Sequence, residues 1–124
     1  MQFRNDLTDM LGIRFPLLMA PMFLVSNEKM MVAGMKAGIA SCFPSLNYRG
    51  EDELDGMLTK LASFKAEGAS GTYGVNLIAQ KTNIYFEKHL KVCVRQKVPF
   101  YITSLGNPKP VIDAVASYGA KVFC

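Results

Sequence analysis

Short apolar runs rich in β-branched and aromatic residues alternate along this chain with stretches whose apolar residues recur at helical spacing. Leu17 to Pro21, Ile39 to Phe43, Tyr73 to Leu77, Phe100 to Ser104 and Lys121 to Cys124 are read as five strands. A short opening helix, Asn5 to Leu11, precedes the first of them. The order is then β-α four times and a final β, which requires a parallel sheet with right-handed crossovers. No Pro/Gly/Ser linker interrupts the pattern, so residues 1–124 carry no internal domain boundary.

The intervening helices have recognisable ends. Ser26 is the expected N-cap of a helix carrying Met30, Met31, Ala33, Met35 and Ala37 and stopping near Gly38. Leu54, Met57, Leu58, Leu61 and Phe64 form an i, i+3, i+4, i+7 stripe, with Glu51, Asp52 and Glu53 at its positive end. Phe86, Leu90, Cys93 and Val94 make the apolar face of the next helix, and Glu87, Lys88, Lys91 and Arg95 its wet face. Asn107 as N-cap, Pro108 at the first helical position and a stop at Gly119 frame the last one.

Two parallel folds accommodate five such strands. One is a complete doubly wound, flavodoxin-like binding module with strand order 2-1-3-4-5. The other is the first half of a (β/α)₈ TIM barrel, about four βα units plus a fifth strand, in sequential order. A barrel of roughly 250 residues allots about 31 per unit, and strands starting near 17, 39, 73, 99 and 121 are compatible with that. The chain stops at Cys124 within an apolar run, which predicts a barrel that continues beyond it.

Composition narrows the class. Of the 124 residues 50% are apolar and 19% charged, too apolar for a disordered region and enough for one core. The net charge is +4, but the 14 Lys and Arg are spread in ones and twos, so a nucleic-acid stripe is not expected. No apolar run reaches the roughly 18 residues of a membrane span. The start, Met1 to Asp6, lacks the order of a signal peptide, and the expected address is cytoplasmic. Cys42, Cys93 and Cys124 contain no CxxC and are expected to be buried, reduced thiols.

Ligands of parallel α/β folds sit at the carboxyl ends of the strands. Here those ends read Ala20-Pro21-Met22, Pro44-Ser45, Asn76-Leu77 and Ser104-Leu105-Gly106. They offer no carboxylate pair, which argues against glycosidase or two-metal chemistry. A small, apolar, amide-bearing lining suits a flat aromatic cofactor, oriented by backbone groups and Asn76. Gly68, Gly71 and Gly74 spell GxxGxxG but precede a strand, whereas a dinucleotide loop follows one, so they are read as a flexible connection. His89, the only histidine, is read as a helix-surface or helix-edge residue, Cys42 lacks a base, and Lys109 at a helix start is read as solvated.

The strand ends, taken in order, resemble the nitronate monooxygenase family, formerly 2-nitropropane dioxygenases. The resemblance is carried by Leu11-Gly12-Ile13, Arg14 to Met22, Ala37-Gly38-Ile39, Tyr73-Gly74-Val75-Asn76-Leu77, Val98 to Pro108 and Tyr118-Gly119-Ala120-Lys121-Val122. It implies a (β/α)₈ barrel binding FMN at the carboxyl ends of its strands. Ala20, Pro21 and Met22 are then expected to line the flavin ring, largely through backbone groups, and Asn76 to hydrogen-bond it. The implied reaction is oxidation of alkyl nitronates by O₂ to a carbonyl compound and nitrite. The same family includes enoyl-acyl-carrier-protein reductases that use FMN with a nicotinamide donor. Its catalytic histidine and glycine-rich phosphate loops lie on later strands, so no catalytic residue is assigned here and His89 inherits no role. Ser41 to Leu46 is less glycine-rich than the family pattern. A half-barrel with unpaired edges also predicts self-association, in the extreme a structural homodimer.

Overall fold

A computed structural model describes residues 3–124; Met1 and Gln2, which belong to the reading of the amino-terminal segment, lie outside the described residues. The elements are α1 (Asp6–Leu11), β1 (Leu18–Met19), α2 (Glu28–Ala37), β2 (Ala40–Pro44), a 3₁₀ turn (Ser45–Asn47), α3 (Glu53–Ala66), β3 (Thr72–Ile78), α4 (Phe86–Arg95), β4 (Phe100–Ser104), α5 (Lys109–Val115) and β5 (Lys121–Phe123). All neighbouring strands are parallel and their order is β1-β2-β3-β4-β5. Sequential order is that of a partial TIM barrel and excludes the flavodoxin-like alternative, in which the chain crosses back over its first strand after the second. The outer edges of β1 and β5 pair with no strand among the described residues.

Helix ends follow from local chemistry. Asn5 caps α1 in a reciprocal box: its side chain accepts from the Thr8 amide while Thr8 Oγ1 accepts from the Asn5 amide, and Gly12 closes the helix in the left-handed region. Asn27, not Ser26, caps α2 through the Met30 amide. Ser26 is buried, and its hydroxyl accepts the Met22 N–H at 2.8 Å. That bond also explains why β1 is shorter than the Leu17 to Pro21 run: Pro21 has no N–H, and the Met22 N–H turns to Ser26 instead of a neighbouring strand. α5 begins one residue late, with Pro108 at the cap position and Asn107 Oδ1 accepting from the Lys109 amide.

The sheet has two buried faces, as a covered parallel sheet requires. Toward the helices, Phe43, Tyr73, Val75, Leu77 and Tyr101 pack against Met31, Met35, Leu54, Leu58, Leu61, Cys93, Val111 and Val115. Toward the barrel interior, Ala40, Cys42 and Phe100 pack with Ile13, and Phe123 meets Phe100 edge to face. Gly74 lies in register with both Cys42 and Phe100, and the Phe100 ring fills the space a side chain at 74 would need. Gly71 is buried against the backbone of Ile39 and Met35. The GxxGxxG segment is therefore a packing device for β3 rather than a flexible connection: its second and third glycines let backbone and ring approach closely.

Candidate functional site

At the carboxyl end of the sheet, Asn76 occupies the next interior layer of β3, in register with Pro44 on β2 and Ile102 on β4. Its side chain is nearly buried and donates both amide hydrogens to β4, to the Ile102 carbonyl and to Ser104 Oγ, each at 2.9 Å. Its carbonyl oxygen accepts no hydrogen bond from the described residues. The amide is thus held rigidly by one strand while presenting an acceptor.

Ala20, Pro21 and Met22 leave β1 at the same end. Ala20 and Met22 are exposed and Pro21 is half-buried. The chain then turns through Leu24, which holds a left-handed backbone at φ 61°. Asn47 fixes this turn from the next loop: its Oδ1 accepts the Leu24 N–H at 2.8 Å and its Nδ2 donates to the Ser26 carbonyl. Met22, Phe23, Leu24 and Val25 are left as an apolar rim.

A cavity of about 300 Å³ opens beside these residues, walled by Phe23, Leu46, Arg49, Ile78, Gln80, Thr82, Asn83, Ile84, Tyr85 and Leu105. It draws on the loops after β1, β2, β3 and β4, and Arg49 is the charged residue among its walls. None of Ala20, Pro21, Met22 or Asn76 lines it directly. Phe23 and Ile78, one residue beyond Met22 and two beyond Asn76, do. A larger cleft of about 660 Å³ lies at the opposite end, against α1 and the approach to β3, where Arg4 pairs with Asp9. It is far from the strand ends that hold ligands in this architecture.

His89 departs most from its sequence reading. It is 3% exposed, and its Nδ1 lies 3.0 Å from Ser45 Oγ at the end of β2. The Tyr85 ring stacks on it with centroids 5.5 Å apart. Burial first, and then the Lys88 charge, hold its proton affinity below the ordinary value, while the Tyr48 main chain pulls the other way. The sequence carried a signal for this: His89 falls at i+3 from Phe86 and four residues before Cys93, on the apolar stripe of α4. Ser45 was legible as a strand end but not as a partner of His89, and Asn47, which fixes the loop after β1, carries no signal of its own.

The remaining polar candidates are quiet. Cys42 and Cys93 are buried and burial pushes both thiols far up, so neither is a nucleophile; Cys124 is exposed, unlike the expectation for all three. Lys109 is paired with Asp113. Among the described residues no group of three His, Cys, Asp or Glu side chains is placed to hold a metal, and no helix is long and apolar enough to cross a membrane.

The fold and this mouth define a partial (β/α)₈ barrel with its candidate site at the carboxyl ends of the strands. No family model matches the chain, and no curated protein does. Solved structures do match it. FabK from Thermotoga maritima superposes with a TM-score of 0.78 at 26% identity, covering 98% of this chain and 37% of that one. A point mutant of the same protein gives 0.79 at 26% identity, with 98% and 39% covered. The chain thus spans well under half the length of the solved chains it matches.

Proposed function

We infer that this chain is the amino-terminal part of an FMN-dependent (β/α)₈ oxidoreductase that reduces enoyl-acyl-carrier-protein substrates with electrons from a nicotinamide donor. The likeness to FabK favours this reading over nitronate oxidation. The observation that carries the cofactor is Asn76. Its carbonyl oxygen accepts no hydrogen bond from the described residues, and its amide nitrogen is held by two bonds to β4 at the ligand end of the sheet, which suits an N–H on a flat heterocycle. Ala20, Pro21 and Met22 would wall the ring from β1. Bound FMN would supply hydride chemistry; the chain's own share is to orient the ring and exclude water through Phe23, Ile78 and Leu105.

Nitronate oxidation with O₂ is the second reading, supported by the motif series from Arg14-Phe15-Pro16 through Ala20-Pro21-Met22 to Gly74-Val75-Asn76. The two separate in one experiment. This stretch alone is expected to be inactive, so the longer protein of which it is a part, loaded with FMN, is mixed without oxygen with NADH, with NADPH and with an alkyl nitronate, and flavin bleaching is followed. Bleaching by a nicotinamide nucleotide alone supports the reductase, and bleaching by nitronate alone supports the monooxygenase. The unpaired edges of β1 and β5 favour association with further chain, another copy included.

A further inference from the structure

We propose that His89 is a positioning residue of the mouth: from behind the cavity wall its imidazole holds the Ser45–Asn47 turn and the Tyr85 ring, and through them Leu46, Arg49 and Tyr85 itself, in the arrangement that receives the ligand. This rests on the reading of the mouth as the flavin-binding end.

His89 does not line the cavity, yet it contacts one wall residue and the neighbour of another. Tyr85, stacked on the imidazole, is a wall residue, and Leu46 follows directly from Ser45, with Arg49 three residues further along the same loop. The turn carries further weight: Asn47, two residues from Ser45, clamps the Met22 to Ser26 loop. One buried ring on α4 is therefore connected to the loops after β1, β2 and β3. Ser45 Oγ is fully buried and has no other hydrogen-bond partner among the described residues. A neutral imidazole with a bare Nδ1 accepts the Ser45 O–H. A protonated ring has a donor at both nitrogens, so the hydrogen of the buried serine loses its acceptor.

Of the groups around the ring only the Tyr48 main chain favours the charged form, and the others outweigh it. Lys88 on its own helix repels a second positive charge, and Tyr85 offers an uncharged face. Tyr48 and Ser45 face it from the turn. The acids of the packed helix α3 are engaged elsewhere, Asp55 by Arg95 and Gln96 and Glu53 by the Gly50 amide, and the charged residue that follows the turn is Arg49, a base rather than an acid. Burial adds to this, so the ring is neutral at neutral pH and the clasp is lost as pH falls.

The test uses FMN as the probe and the single histidine as its own reporter. FMN affinity of the chain is measured by flavin fluorescence between about pH 5 and 8, alongside an NMR titration of the one imidazole. Wild-type affinity is expected to weaken about tenfold in step with imidazole protonation. H89L, which cannot accept from Ser45, is expected to bind about tenfold more weakly at every pH. H89N, which returns a carbonyl acceptor, should recover neutral-pH affinity and lose the pH dependence. Affinity that stays flat through the imidazole titration, or H89L binding like wild type, overturns the proposal. Should H89L fail to fold, the flat profile expected of H89N decides. Absence of FMN binding by wild type at every pH counts against the flavin reading instead. The positioning role is then read from amide exchange at Leu46 and Arg49: protection lost in H89L and kept in H89N supports it, and protection unchanged in H89L overturns it.

Discussion

Asn76 and Ser104 are joined across the ends of β3 and β4, the side-chain amide of one donating to the hydroxyl of the other at 2.9 Å. The second amide hydrogen goes to the Ile102 carbonyl, so a single side chain stitches two strand ends at the mouth. Asn76→Leu keeps the volume and removes both bonds. A loss of about 1–3 kcal/mol in unfolding free energy is expected, measured by urea denaturation, and Asn76→Asp, which has no amide hydrogens, should recover little of it.

Gly74 and Phe100 share one volume in the barrel interior. A Cβ at 74 would stand 2.5 Å from the ring of the fully buried Phe100, so the ring would have to shift. Gly74→Ala should destabilise by about 1–3 kcal/mol through overpacking. Adding Phe100→Leu to Gly74→Ala should cost less than the two single losses summed, because the smaller residue vacates the contested space. Denaturation of the four proteins of this cycle measures it.

Ser41 Oγ is buried without a hydrogen-bond partner among the described residues and points at Gly34 of α2. Ser41→Ala should therefore hold or raise stability, by up to about 1 kcal/mol. Gly34→Ala alone drives its methyl into the hydroxyl, so its usual helix gain of about 1 kcal/mol is not realised. In the Ser41→Ala background the remaining neighbours stand at 3.3 Å, and the penalty should shrink. Additive effects in thermal melts would contradict this contact.

Asp55 on α3 accepts from Arg95 and Gln96 at the end of α4, and these bonds hold its carboxyl below the ordinary value of 3.8. A lowered carboxyl pKa in the folded state means the contribution is complete above 3.8 and is lost as pH falls through the folded value. Asp55→Asn should flatten the acid limb of a Tm-against-pH curve while changing Tm little at neutral pH, since the pair is solvent-screened.

Strand and helix placement were legible because period and punctuation agree: Gly38 caps α2 and the Leu54 to Phe64 stripe is α3 itself, whereas α5 ends at Val115, short of the Gly119 stop, and the strand order, sequential or doubly wound, was decided only by the pairing of the strands. Where a residue has two uses, local reading chose the wrong one. Ser26 looks like a cap by its position before Asn27 and Glu28, yet its hydroxyl serves the Met22 amide four residues back. Gly71 and Gly74 look like hinges because nothing local reveals the Met35 backbone or the Phe100 ring above them. Asn76 was legible as a polar residue at an interior strand end. His89 was not read as buried, although its stripe position allowed it, because its partner Ser45 lies 44 residues away and only the β2–β3–α4 packing brings them together.

The central claim, a flavin held at the carboxyl ends of these strands, is tested most directly by the visible absorbance spectrum of the protein titrated with FMN, for wild type and Asn76→Ala. Saturable shifts of the flavin bands in wild type, weakened about tenfold or more in the variant as expected for loss of a buried hydrogen-bond partner, are the predicted result. A spectrum that stays that of free FMN at every protein concentration, with the protein folded, would contradict it.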